Sequence, residues 1–304
     1  MHVLIAGGTG LIGRRLIDDL VARNHKISVL SRRPIKPAAL SSQVEFVPWD
    51  GATAAGWGRQ LEQVDAVVNL AGAGIADERW TDERKKTLLN SRLAPGHALV
   101  EAFGAATNRP KVLVQASAVG YYGPQADDAP ITEAHGPGRG FLADICARWE
   151  ASTQPVEALG VRRVIIRTGV VLDAAGGALP KMVTPFKFLA GGPIGRGQQW
   201  FSWIHYVDEA AAITFLLETG AASGPVNLTA PNPLTNREFA RELGRALHRP
   251  ALAVTPVVAL KALFGEMAAV LLEGQRALPA RLQALGYQFK FATAGAALAD
   301  LLRP

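Results

Sequence analysis

The first thirteen residues constrain the fold more than any other segment. Val3-Leu4-Ile5-Ala6 is an apolar run short enough for one central strand of a parallel sheet. Gly7, Gly10 and Gly13 follow at three-residue spacing, and Leu11, Ile12, Leu16, Ile17 and Leu20 then recur at helical spacing. A glycine triplet alone serves any tight turn; the strand before it and the amphipathic helix after it make it a seat for a diphosphate. The glycines supply a tight turn, close approach of backbone to the pyrophosphate, and close packing of helix on strand. The helix offers its free N–H groups and the positive end of its dipole to the anion. Gly7, Thr9, Gly10, Leu11, Ile12 and Gly13 are therefore expected at a dinucleotide site.

The end of the second strand selects the dinucleotide. Residues 26–30 form that strand candidate and run into Ser31-Arg32-Arg33-Pro34. A site for NAD places Asp or Glu there, about 20 residues past the glycines, to accept from the ribose 2′-hydroxyl. A carboxylate repels a 2′-phosphate, whereas Arg grips it with a planar, permanently charged fork. The pattern predicts NADP(H), with Ser31 and Arg32 on the 2′-phosphate and Arg33 beside the adenine. Asp50, after the third strand, is a further candidate for the adenine edge.

Bulk composition narrows the class. The net charge of +6 is spread without a long basic run or an aromatic-interleaved patch, so an anionic small molecule explains the arginines better than nucleic acid. A single cysteine, Cys146, excludes an intrachain disulfide and a Cys-cluster metal site, and the six histidines lack ligand spacing, so no metal is expected. The chain starts on its first strand, which argues against a removable leader. The longest apolar stretch, residues 257–272, carries Lys261 and Glu266 and is too short to span a bilayer. There Leu260, Leu263, Phe264, Met267 and Leu271 form one helical packing stripe. A cytoplasmic protein with no membrane partner is expected; homo-oligomerisation is left open.

Further strand candidates are residues 44–47, 66–70, 111–117, 163–168 and 225–230, with helical patterns at 82–103, 142–159, 207–218 and 236–247. This alternation predicts an α/β Rossmann-type, doubly wound parallel sheet. Residues 1–172, with 204–230 returning to the sheet, form the predicted dinucleotide-binding core. Residues 173–203, rich in Gly and Pro, and 231–304, mainly helical, form a smaller substrate lobe with a C-terminal extension.

With the arginine-ended second strand and Asn69-Leu70-Ala71-Gly72-Ala73 after the fourth, the chain resembles the short-chain dehydrogenase/reductase superfamily, in its extended, epimerase-like branch. More specifically it is similar to the atypical "epimerase family" group of YfcH-like proteins. The carrying motifs are Arg79-Trp80-Thr81, Ser91-Arg92, Ser117-Ala118-Val119-Gly120-Tyr121-Tyr122-Gly123, Phe141-Leu142-Ala143 leading to Trp149-Glu150, Arg167-Thr168-Gly169-Val170-Val171-Leu172, Gly197-Gln198-Gln199-Trp200 and Trp203-Ile204-His205. Gly265-Glu266, Glu273-Gly274-Gln275 and Pro279 follow in the extension. The resemblance implies further cofactor contacts at Leu70, Ala71, Gly72, Arg92, Ser117, Leu142, Arg167 and Thr168.

The superfamily's catalytic signature is absent. Its chemistry uses Tyr-x-x-x-Lys on one helix with a Ser or Thr, the Tyr moving a proton as the nicotinamide moves a hydride. The alignment puts Leu142 at the Tyr position, Cys146 at the Lys position and Ala118 at the hydroxyl position, beside Ser117. Substitute proton carriers are Tyr121, Tyr122, Ser117 and His205. Cys146 has no evident thiolate-stabilising partner and reads as buried packing. Arg79-Trp80 is either a substrate-facing pair or a loop anchor. Three functions are compatible: an NADP(H)-dependent oxidoreductase on a small carbonyl or nucleotide-linked substrate, a nucleotide-sugar epimerase or isomerase, and a non-catalytic NADPH-binding sensor or scaffold.

Overall fold

The computed structural model describes residues 1–32, 44–125 and 128–303. In chain order the first half runs β1 (His2–Ala6), α1 (Leu11–Ala22), β2 (Lys26–Ser31), β3 (Val44–Pro48), β4 (Ala66–Asn69), α2 (Asp82–Ala105), β5 (Val112–Ala118), α3 (Phe141–Ala151), β6 (Arg162–Thr168) and β7 (Val170–Asp173). Then come β8 (Gly176–Gly177), α4 (Ala178–Lys187), β9 (Trp200–Phe201), β10 (Trp203–His205), α5 (Tyr206–Glu218), β11 (Gly224–Leu228), β12 (Leu234–Thr235), α6 (Asn236–Leu247), α7 (Val257–Phe264), α8 (Ala269–Leu272), α9 (Ala280–Ala284) and α10 (Ala294–Leu301).

Seven strands make one parallel sheet in the order β11-β6-β5-β4-β1-β2-β3. Every strand expected of the doubly wound sheet is in it. The physical cause is two-sided burial: Val3, Leu4, Ile5 and Ala6 of the central β1 are fully covered, as a parallel strand between helical layers must be. One face carries α1 and α5 over Val3, Ile5, Ile27, Val68 and Val114. The other carries Leu99 and Phe103 of α2 with Trp49 and Trp57 over Leu4, Val67 and Leu113. Among the described residues no helix is long and apolar enough to cross a membrane.

Two helical expectations are corrected. The pattern over 142–159 is not one helix: α3 stops at Ala151, and a 3₁₀ turn, Gln154–Leu159, follows because Pro155 cannot continue the helix. The stripe over 257–272 is broken at Gly265, whose φ of +59° ends α7 before a short 3₁₀ turn and α8. Leu263 is consequently 63% exposed, while Met267 turns inward.

The C-terminal extension is sewn into the main sheet. The Asp208 carboxylate at the start of α5 accepts the N–H groups of Lys290 and Phe291 and the Tyr287 hydroxyl. Asn227 of β11 donates to the Leu278 carbonyl, and Glu133 accepts both the Asn227 and Arg281 N–H groups. Leu282 and Tyr287 enter the core beneath the sheet.

Candidate functional site

The glycine turn is built as a cradle. Gly7 has φ +82°, and a Cβ there would lie 2.7 Å from the Leu70 carbonyl. A Cβ on Gly13 would lie 2.5 Å from the Gly7 carbonyl oxygen, so helix and turn touch backbone to backbone. Among the described residues no side chain caps α1, whose N-cap is Gly10, so its first amides are left without a side-chain acceptor. Thr9 offers its carbonyl to Arg14. Ile12 packs on the core, and Leu11 packs against Gly177 of β8, which leans over the turn. The Arg15–Asp173 ion pair at 2.7 Å fixes that overhang.

At the end of β2, Ser31 is buried and its carbonyl accepts the Trp49 N–H, while Arg32 lies exposed on the surface above Gly51. Arg33 lies outside the described residues. Asp50 is engaged locally: its oxygens accept from the Ala52 and Thr53 N–H groups and the Thr53 hydroxyl, and these bonds, the Thr53 hydroxyl first, hold its pKa down. It caps a turn.

After β4, Asn69 accepts the Ala71 N–H and donates to Gln115, and Ser91 accepts from Ala73. Leu70, Ala71 and Gly72 are thereby fixed beside the glycine turn. Trp80 is buried and donates to the Ile75 carbonyl, and Arg79 donates to the Ala262 carbonyl of α7, so both anchor loops. Arg92 reaches past Gly72, stacks 4.9 Å from the Trp149 ring and donates from Nη1 to the Leu88 carbonyl.

A buried polar chain crosses the far side of the site and takes in several of the expected site residues. Ser117 donates to Glu150 at 2.7 Å, and Glu150 takes a two-point fork from Arg167 at 2.9 and 3.0 Å. Arg167 also donates to the Tyr122 hydroxyl, which donates to Asn227 at 2.6 Å. Burial opposes the charge on Arg167, but Glu150 outweighs it and raises the pKa. Burial likewise raises the Tyr122 pKa. Thr168 donates to the fully buried Glu209, whose pKa burial pushes up to about 8. The hydroxyl protons of Ser117, Tyr122 and Thr168 and the guanidinium of Arg167 are thus engaged by internal partners. His205 is fully buried; its Nδ1 accepts the Val207 N–H at the start of α5, its ring stacks 3.9 Å from Phe291, and burial lowers its pKa. It caps α5 through Nδ1, and its Nε2 lies 3.4 Å from an Asp300 carboxylate oxygen, away from the glycine turn.

Tyr121 differs from these. Its hydroxyl has no hydrogen-bond partner among the described residues, and its ring lies 3.5 Å above the Arg167 guanidinium carbon. It joins an apolar wall with Leu142, Phe141, Trp80, Cys146 and, from the extension, Phe264 and Met267. Leu142 and Cys146 share one face of α3 toward Gly120. Burial pushes the Cys146 thiol up to about 11, so it is not a thiolate nucleophile. The roles of Glu150, Glu209 and Asn227, and the roof from 264–267, were not singled out from the sequence. The signal available was charge inside apolar runs: Glu150 one turn after Cys146, and Glu209 in a helix of alanines and leucines.

Sheet order, glycine cradle and a wall at the carboxyl ends of the strands define a Rossmann-type protein of the short-chain dehydrogenase/reductase kind. The NAD dependent epimerase/dehydratase family matches residues 3–229, and a domain of unknown function, DUF1731, matches residues 255–301. The chain belongs to the NAD dependent epimerase/dehydratase family. It is 40% identical over 301 residues to epimerase family protein SA0724 of Staphylococcus aureus (strain N315), covering 99% of this chain and 98% of the relative. It is 43% identical over 300 residues to epimerase family protein Mb2239 of Mycobacterium bovis, covering 97% and 96%. The crystal structure of human epimerase family protein SDR39U1 (isoform 2) with NADPH superposes with a TM-score of 0.87 at 36% identity, covering 99% of both chains.

Proposed function

We propose that the protein is an NADP(H)-dependent oxidoreductase acting on a small carbonyl substrate, with Tyr121 as the proton carrier. The cofactor assignment is supported by the Gly7–Gly13 cradle, by Ser31 and Arg32 where a NAD site carries a carboxylate, and by the likeness to the human protein solved with NADPH. Bound NADPH supplies a hydride to the carbonyl carbon. Tyr121 gives its proton to the carbonyl oxygen, and the Arg167 cation under its ring stabilises the phenolate left behind. The single observation that carries the reading is that Tyr121 alone, of the four candidate proton carriers, holds an uncommitted proton on the apolar wall.

A second reading, an NADPH-binding sensor, is favoured by the internal commitment of Ser117, Tyr122 and His205. The test is a carbonyl panel followed by NADPH absorbance. Turnover that falls about 100-fold or more in Tyr121→Phe, within the range of general acid catalysis, with NADPH affinity unchanged, supports the enzyme. Turnover equal in Tyr121→Phe refutes Tyr121 as donor, and NADPH binding with no turnover on any carbonyl leaves the sensor.

A further inference from the structure

Among the described residues, several of the arginines drawn into the body of this protein are matched to charged groups or to several acceptors. Arg15 meets Asp173, Arg163 meets Glu157, Arg167 meets Glu150, and Arg162 donates to three backbone carbonyls. Arg92 is different. Among the described residues its one hydrogen bond runs from Nη1 to the Leu88 carbonyl, and no carboxylate lies within ion-pair distance. Four of its five N–H donors are therefore uncommitted.

Its setting makes that costly. The side chain is wedged between the Trp149 ring and the Gly72 backbone, where a Cβ would come within 3.3 Å of its Cγ and Cζ. Its titratable neighbours are the Cys146 thiol and a second cation, Arg84, and burial lowers its pKa. Arg84 is already occupied by the Gly74 carbonyl, Asp77 and Glu78. A half-buried guanidinium without a counter-ion loses part of its hydration, and an arriving anion offsets that cost.

The location says which ligand brings the anion. Gly72 follows β4 and Cys146 faces the turn after β5, so Arg92 stands at the carboxyl edge of the sheet, beyond β4 from the glycine cradle on β1. The cofactor's diphosphate belongs at that cradle. Cys146 ties Arg92 to the apolar wall of Leu142, Tyr121, Trp80 and Phe264. We infer that Arg92 is a substrate-binding residue and that the substrate is an amphipathic carboxylate: its apolar body lies on this wall and its carboxylate takes the Arg92 fork. One uncommitted guanidinium suits a single negative charge with two oxygens, whereas a phosphate dianion calls for a second free cation, which Arg84 does not provide. This rests on the oxidoreductase reading and narrows its substrate to carbonyl compounds that are also acids.

The test is binding to the NADPH-saturated protein, read by tryptophan fluorescence, of benzoate, phenylacetate and benzoylformate against their methyl esters, with benzyl phosphate as a third arm. Acids are expected to bind about tenfold or more tightly than esters, as a two-point charged contact gives, and R92Q is expected to erase the difference. R92K keeps the charge without the fork and is expected to fall between. Because R92Q removes an unmatched charge, its Tm is expected to stay level or rise.

Several results would overturn the inference: esters binding as well as acids, no acid binding, benzyl phosphate binding more tightly than every acid, or the acid preference surviving in R92Q. An R92Q chain that fails to fold marks a structural arginine, and an R92Q that loses NADPH marks a cofactor contact; either outcome also overturns it. Each leaves the oxidoreductase reading standing. Failure of the unaltered protein to bind NADPH sinks that reading instead.

Discussion

Replacing Glu150 by Gln preserves the shape of the buried polar chain and removes one charge from it. Glu150 Oε1 accepts Ser117 Oγ at 2.7 Å and Arg167 Nε at 2.9 Å, and Oε2 accepts Arg167 Nη2 at 3.0 Å. The two side chains are 10% and 4% exposed, so water cannot replace the lost partner. An amide oxygen can keep one arm of the fork, but the amide nitrogen then opposes an Arg167 donor. Leaving one member of a buried pair uncompensated costs about 3–5 kcal/mol. Arg167→Met strands the carboxylate instead and costs a similar amount, also loosening Tyr122. The double variant removes both charges and is expected to regain roughly 2–3 kcal/mol of the summed loss, since it leaves no orphan ion. Urea unfolding followed by circular dichroism at pH 7 gives all three values, and the single variants are expected to lower Tm by roughly 10 °C. Single-variant losses below about 1 kcal/mol, or strictly additive losses in the double variant, would refute the account of an enclosed pair.

Two further outcomes follow from the same structure. Arg32→Ala is expected to weaken NADPH binding by about 1.5–3 kcal/mol while leaving NADH unchanged; equal affinity of the unaltered protein for both cofactors would contradict the 2′-phosphate assignment. Glu209 has its pKa raised by burial to about 8, so between the ordinary carboxylate range and that value the folded state binds a proton that the unfolded state lacks. Stability is therefore expected to fall as pH rises through this window, by up to about 1.4 kcal/mol per unit, and to level off above it. Glu209→Gln should flatten the slope, and an unchanged slope in denaturant titrations from pH 5 to 9 would exclude Glu209 as its source.

The sheet was legible because its strands announce themselves locally. Runs such as Val3–Ala6 have no use other than two-sided burial, and the glycine spacing places the turn without knowledge of anything distant. The site was less legible because hydroxyl availability is a long-range property. Ser117 and Tyr122 look alike as candidates until Glu150 and Asn227, from other elements, are seen to occupy them. His205 precedes a helix in the sequence, and its capping role was readable there. Its enclosure by Phe291, contributed by the far end of the chain, was not. The break at Gly265 was hidden by an apolar periodicity that continues across it.

The stitching of the extension bears on how the chain is made. Asn227, Asp208 and Glu133 acquire partners from residues 278–291, which leave the ribosome after them. Until then the outer strand of the sheet and the start of α5 carry polar groups prepared for contacts that do not yet exist, and the core beneath lacks Leu282 and Tyr287. Domains emerge at about 5–20 residues per second and usually settle as they appear. Here a nascent chain that already has all seven strands still waits on residues 278–291, and until they arrive part of its core is uncovered and its acids are unmatched. Arrival of residues 278–291 thus becomes a condition for completing the fold.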